Sequence, residues 1–467
     1  MERGRAARLD RRADCYNIPI TPIWSARTVA SDRRTGVSVQ AAVLSLADAV
    51  ADRIGVLRRK LRAEDMLRAA RRSARLDDFG DMSFVGPLQL LLDKCVDEAS
   101  LSVVGRLALR WDTVRFLVNL LRLREAERRA PVITHQHIKQ PIFITGLPRS
   151  GTTFLHRLMM ADRDYCAPLV WQTIYPYPPR PGADRRVARV TQQLRAFERL
   201  APQFRGLHPL FATSPQECSE ITAHVFRSLR FDTTYEIPSY RTWLDEAGHV
   251  PAYQFHKRFL QHLQFQDLAA GAGSRCWALK CPDHVFALDA IRMVYPDARL
   301  VFVHRDPVNV LLSVAKLTEV LRAPFTRHLD PVQIGRQESA RWLEGARRMI
   351  DADVHQIFAD PICHVHHLDL ITDPLATVDC VYRHFGLTLS ADARAGIERM
   401  VGRHPNGGYA LHAYRFEEHG LDGAVEREKF RDYMVRFGIQ PEGVPRRDVP
   451  ARGAGVAASV ATQTPTR

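Results

Sequence analysis

Followed for its apolar and polar positions, the chain changes period near Pro141. From residue 37 to about residue 130, apolar side chains recur at helical spacing. Val43, Leu44, Leu46, Ala47 and Val50 make one stripe, and Leu88, Leu90, Leu91 and Leu92 a second. Leu109, Phe116, Leu117, Leu120, Leu121 and Leu123, with arginines between them, predict a long helix over 105–130. Past Pro141 the period shortens. Ile142, Phe143, Ile144 and Thr145 run into a glycine, as a buried parallel strand does. Further strand-like runs lie at 277–279, 300–303 and 362–366, with helical stretches between them. That alternation predicts an α/β fold around a central parallel sheet, preceded by an N-terminal helical region. Residues 175–181 carry several prolines and read as a loop. The expected division is a basic flexible arm over 1–35, a helical region over 36–135, the α/β domain over 136–440 and a disordered tail over 441–467.

Composition narrows the class further. The 467 residues are 46% hydrophobic and 25% charged, ordinary for a globular chain. The formal charge of +14 suits nucleic acid, an anionic membrane or a small polyanion. Arginine clusters such as Arg71–Arg72 and Arg185–Arg186 are scattered, as on a solvated surface. There is no nucleic-acid motif or single basic stripe, so no nucleic-acid partner is expected. The basic, apolar helix over 105–130 would suit a membrane surface; packing on the next domain is the expectation. The eight cysteines include no C-x-x-C pair, which excludes the usual zinc and redox motifs. The start of the chain has no apolar signal core and no run is long enough to span a bilayer, so a cytoplasmic protein is expected. Seven lysines stand against fifty-nine arginines, which draws attention to each lysine.

Candidate chemistry begins at the end of the first strand. Gly146-Leu147-Pro148-Arg149-Ser150-Gly151-Thr152-Thr153 joins that strand to a helix. Glycines let such a loop curl so that backbone N–H groups and the helix N-terminus face an anion. Ser150, Thr152 and Thr153 can add hydroxyl donors, and Arg149 a charged fork. The spacing is that of the nucleotide-triphosphatase loop G-x-x-x-x-G-K-[ST], but Thr152 stands where that loop has lysine. A kinase would lose its main contact to the terminal phosphates. A second segment, Val301-Phe302-Val303-His304-Arg305-Asp306-Pro307, ends a strand, and Ser313 follows Arg305 by eight residues. Its His-Arg-Asp is not that of protein kinases, because Leu311 occupies the position of the required asparagine.

Arg149-Ser150-Gly151-Thr152-Thr153, with Arg305 and Ser313, resembles the two phosphate sites of sulfotransferases that use 3′-phosphoadenosine-5′-phosphosulfate (PAPS). The resemblance, to the broad bacterial-type group, covers about residues 75–440 and includes Asp373-Pro374 and His384-Phe385-Gly386. It implies a P-loop-type three-layer fold. It also implies a 5′-phosphosulfate site at Arg149, Ser150, Gly151, Thr152 and Thr153, and a 3′-phosphate site at Arg305 and Ser313. Arg403, before the late stretch 404–433, is carried over to the donor site with them. The implied reaction moves a sulfuryl group to a hydroxyl or amine of a small-molecule or lipid acceptor, with no metal required.

Such a transfer needs a base for the acceptor proton and cations for the leaving phosphate. Lys280, ending a buried-type strand, is the first candidate cation, with Arg149 sharing the role. His284 is the first candidate base. It follows Lys280 by four residues, where the family's better-known branch has a spacing of two. Glu217 is the second candidate, with Glu220 one turn away. Gln172 stands where other branches place a glutamate, and an amide cannot accept the proton. A small-molecule kinase and a PAPS-binding relative without turnover are the alternatives. His364, His366 and His367 raise a metal reading, but no third ligand is evident near the first two, which share a strand face. Aromatic residues between 165 and 265 are expected to build the acceptor pocket or the core around it.

Overall fold

The computed structural model describes residues 39–178, 183–403 and 416–442. The expected arm over 1–35, residues 404–415 of the late stretch, and the expected tail from 443 onward lie outside the described residues.

Four helices lead the chain: Val39–Arg53, Ala63–Ala74, Val85–Asp97 and Val103–Arg129. The second was not anticipated, because arginines crowd it. Its buried positions, Ala63, Met66, Leu67, Ala70 and Ala74, keep helical spacing, and the arginines occupy the rest of its surface. The fourth opens on Ser102, whose hydroxyl accepts from the Gly105 N–H at 2.9 Å. Gly105 has to be glycine, since a Cβ there would lie 2.0 Å from the Phe325 carbonyl. Leu109, Phe116, Leu117, Leu120, Leu121 and Leu123 are all buried, as the packing expectation required.

The α/β part holds five parallel strands: β1 (Ile142–Gly146), β2 (Tyr165–Cys166), β3 (Cys276–Lys280), β4 (Arg299–His304) and β5 (Cys363–His366). Their order is β2-β3-β1-β4-β5. The two-residue β2 is too short for a periodicity to reveal. Strand residues alternate between two cores. Phe143, Leu279, Leu300 and Phe302 enter one, while Ile142, Ile144, Val301 and Val303 enter the other with Phe154 and Leu155. Helices on both faces complete three layers, the α/β architecture expected.

Because β1 lies between β3 and β4, the chain leaves it to opposite sides in turn. That reversal opens a crevice at the C-terminal ends of the strands, where open α/β sheets take ligands. Residues following β1, β3, β4 and β5 all reach it: Arg149, Asp283, Arg305 and His367 line one cavity. The histidines of β5 point elsewhere. His364 Nδ1 lies 2.9 Å from His304 Nε2, and the two rings stack at 5.2 Å. The ring partner of His364 is thus His304 of the neighbouring strand.

Candidate active site

The loop after β1 is held in conformations that ordinary residues avoid. Arg149 has φ 62°, and Gly146 and Gly151 have φ 144° and 103°. A Cβ on Gly146 would meet the Val303 carbonyl at 2.3 Å, so glycine lets β1 and β4 stay in register to their ends. Thr152 opens the helix Thr152–Met159. Arg149, Gly151, Thr152 and Thr153 line the cavity. Ser150 is fully buried beside them, and its Oγ has no hydrogen-bond partner. A buried, unsatisfied hydroxyl in a glycine-bent loop at a helix start fits an anion bound there.

The second segment closes on the first. Arg305 follows β4, and its Nη1 donates to the Arg149 carbonyl at 2.8 Å. Arg149 Nε in turn donates to Ser313 Oγ at 2.9 Å, and its Nη1 to the Leu207 carbonyl at 2.9 Å. Asp306 caps the helix Pro307–Arg322 that carries Ser313, accepting from Val308 N–H at 3.0 Å. Arg149 thus touches both Arg305 and Ser313, which lie far from it in sequence. Sequence reasoning missed the partner of Arg305. Glu442, beyond the expected end of the domain, accepts from Arg305 Nε and Nη2 at 2.8 and 2.9 Å. This fork-to-carboxylate pair has the geometry with which a guanidinium holds a phosphate.

Lys280 ends β3, with Ile144 of β1 as its register partner. It is only 2% exposed, and its ammonium donates to Glu217 Oε1 at 2.6 Å. Glu217 is held there by backbone pairing. Residue 217 bridges Lys280 in parallel, Cys218 N–H donates to the Lys280 carbonyl at 3.2 Å, and Gln216 N–H to the Pro168 carbonyl at 2.8 Å. Glu217 lines the cavity above the lysine. Burial alone would push its carboxyl up, but the Lys280 charge and hydrogen bond outweigh that and hold it below the usual range. It is therefore ionised at neutral pH.

The other candidates are engaged differently. His284 is fully buried and absent from the cavity wall. Its Nδ1 lies 2.5 Å from the Tyr253 hydroxyl and its ring packs edge-on against Phe143. Residues Pro282–Phe286 form a 3-10 turn that rotates His284 into the core and Asp283 toward the cavity. Glu220 is committed to a buried network. Arg115 reaches Asp112 at 2.5 Å and Glu220 at 2.7 Å, while Arg230 reaches the same two carboxylates at 2.7 and 2.8 Å. Gln172 accepts from the Leu169 N–H at 2.9 Å and is a helix-start contact. Arg403 ends the helix Ala391–Arg403, exposed and not on the cavity wall.

Two further cavity residues were not singled out by sequence. Asp283 has its carboxyl pushed up to about 7, by burial first and by the Glu217 charge second. His208 is drawn down to about 4 by burial, which outweighs the Glu217 charge, so its imidazole is neutral at pH 7. Neither belongs to a motif; only the fold brings them beside Glu217.

The cavity, about 1370 Å³, runs from these polar groups into an apolar arm. Phe197, Phe204, Leu312, Leu317, Leu321 and Phe325 line that arm. Of the aromatic residues expected near the acceptor, Phe204 and Tyr235 reach the cavity, whereas Phe226, Tyr240, Tyr253 and Phe255 fill the core.

Residues 141–391 match the model of the family described as the sulfotransferase family, and the chain belongs to it. Among solved structures it is similar to the sulfotransferase STF1 from Mycobacterium tuberculosis H37Rv, at 31% identity and a TM-score of 0.70, covering 80% of this chain and all of that one. The sulfotransferase STF9 from Mycobacterium avium aligns at 26% identity and a TM-score of 0.74, covering 82% of this chain and 98% of that one. A curated relative from Mycobacterium tuberculosis, omega-hydroxy-beta-dihydromenaquinone-9 sulfotransferase Stf3, is 25% identical over 267 residues. That match covers 53% of this chain and 63% of the relative's length.

Proposed function

We propose that this protein transfers a sulfuryl group from PAPS to a hydroxyl of a long, apolar, lipid-like acceptor. The observation that carries the reading is one cavity whose polar end joins Arg149, Arg305, Ser313 and Glu217 and whose other end is an apolar arm. The name of the Mycobacterium tuberculosis relative, a sulfotransferase of a menaquinone derivative, agrees with such an acceptor.

PAPS supplies an activated sulfuryl group, whose S–O bond to the nucleotide phosphate breaks as a new S–O bond to the acceptor oxygen forms. Ser150, Gly151, Thr152 and Thr153 cradle the 5′ end, and Arg149 meets the negative charge left on the nucleotide. Arg305 and Ser313 hold the 3′-phosphate, with Arg305 exchanging its Glu442 partner for the phosphate or sharing it. Glu217 takes the acceptor proton. Lys280 acts through Glu217, keeping the carboxylate ionised and aimed into the cavity. These residues supply cations where phosphoryl enzymes use a metal, so the reaction is assigned as metal-independent.

The test is transfer of labelled sulfuryl from PAPS to a series of primary alcohols of increasing chain length. A sulfate ester whose kcat/KM rises with chain length supports the reading. Binding of the donor with no transfer to any chain length contradicts it.

A further inference from the structure

The face around the cavity mouth carries features that group transfer does not use. Leu46, Val50 and Ile54 recur every four residues on the helix Val39–Arg53 and its following turn, and they are 67%, 52% and 68% exposed. The acidic residues of that helix face the protein: Asp48 accepts from the Val103 N–H at 2.7 Å, and Asp52 pairs with Arg327 at 3.2 Å. The apolar stripe is therefore fixed outward. On the adjoining helix Val103–Arg129, Leu107 and Trp111 line the cavity and yet are 62% and 50% exposed, which marks its mouth.

Basic groups flank this apolar rim. A groove of about 590 Å³ shares Leu107 and Trp111 with the cavity and is lined by Arg110, Arg122 and Arg189. Arg122 and Arg189 each lie 4.7 Å from a tyrosine ring, Tyr177 and Tyr175. Among the described residues neither has a carboxylate partner, and Arg122 Nε is buried without any hydrogen bond. Arg53, at the end of the first helix, and Arg59, Lys60 and Arg62, in the segment after it, are exposed. Arg106 ties that turn to the rim, donating to the carbonyls of Leu57, at 3.2 Å, and Arg59.

An outward apolar stripe on a helix that adjoins a groove with arginines lacking carboxylate partners is a pattern that seats a protein on an anionic bilayer. The net charge of +14 has the complementary sign, and the rim is continuous with the apolar arm. Among the described residues no helix is long and apolar enough to cross a membrane, so contact of this kind is peripheral. We propose that this face docks on an anionic lipid bilayer and that the acceptor enters the cavity from it past Leu107 and Trp111. The second clause rests on the lipid-acceptor reading; the first stands without it.

The test is flotation of the full chain with phosphatidylcholine vesicles, with and without phosphatidylglycerol. The chain is expected to float with the anionic vesicles, to stay behind with the neutral ones, and to be released by salt. Arg122→Gln with Arg189→Gln is expected to weaken partition about tenfold to thirtyfold. Val50→Ser with Ile54→Ser is expected to weaken it by about tenfold or more. Both double variants should keep the wild-type melting temperature, affinity for 3′-phosphoadenosine-5′-phosphate, and transfer to a detergent-dispersed acceptor. Equal partition onto both vesicle types, or partition unchanged in both double variants, would overturn the proposal. So would a non-floating chain whose concentration-dependent self-association disappears with Val50→Ser and Ile54→Ser, since the stripe would then seat a second copy. Lost docking with transfer intact sinks only this inference. Docking without transfer sinks the proposed function instead.

Discussion

The two ends of the cavity are built by different means. At the C-terminal ends of the strands, backbone does the placing: the β1 loop is bent at Gly146, Arg149 and Gly151, and Glu217 is bridged to Lys280. Polar atoms there meet within hydrogen-bond distance, so a shift of an ångström would break the arrangement. At the far end, side chains from separate helices do the work, with Phe197 from Arg186–Leu200, Leu317 from Pro307–Arg322 and Leu107 from Val103–Arg129. Apolar contact has no direction, and such a wall tolerates substitution while keeping its character. For the proposed transfer, the contrast implies fixed donor use and adjustable acceptor choice within one fold.

Breaking the rigid end should have the largest effect. Glu217→Gln keeps an oxygen for Lys280 but removes the proposed proton acceptor. It should lower kcat by roughly 10²–10⁴-fold while donor affinity barely moves. A drop in donor affinity with kcat intact would make Glu217 a structural partner of Lys280 instead. The wall between the two ends is the buried set Asp112, Arg115, Glu220 and Arg230. Arg115→Met leaves two buried carboxylates around one cation and should cost about 3–5 kcal/mol in denaturant unfolding. A cost within the range of surface substitutions would show the network to be solvated.

At the adjustable end effects should be smaller and selective. Phe197→Ala or Leu317→Ala should raise KM for a long-chain acceptor about tenfold, leaving short-chain turnover and nucleotide affinity unchanged. An equal effect on both chain lengths would remove the distinction between the ends. A separate effect, on stability and not on turnover, concerns Asp283. Its carboxyl is raised to about 7, mainly by burial, above an unfolded value near 3.9. Its contribution to stability is thus complete below about pH 4 and is lost as pH rises through about 7. Melting temperature should fall across that window in the wild type relative to Asp283→Asn. Parallel curves would show that Asp283 is not raised.

What the sequence disclosed follows the same division. Arg149 to Thr153, Arg305 and Ser313 were legible because each sits at a short, fixed offset from a strand end, and strand ends converge in a parallel sheet. Lys280 was legible for the same reason. The direction of His284 was not, because a 3-10 turn after Cys281 decides whether residue 283 or 284 faces the cavity, and no periodicity marks it. Glu442 meets Arg305 from 137 residues away, and the Arg115 network joins residues 105 and 118 apart. Such partners are chosen by packing, not by local spacing. The helix Ala63–Ala74 was hidden by its arginines, although its buried positions were periodic.

The Arg149–Arg305–Ser313 cluster is the proposed site for a 3′-phosphorylated nucleotide. Its most direct test is calorimetric titration of the protein and of Arg305→Ala with 3′-phosphoadenosine-5′-phosphate, without metal and with ATP as the comparison. The expected result is metal-free binding that exceeds that of ATP and weakens roughly tenfold to a hundredfold in the variant. No binding, or a preference for magnesium-bound ATP indifferent to Arg305, would contradict it.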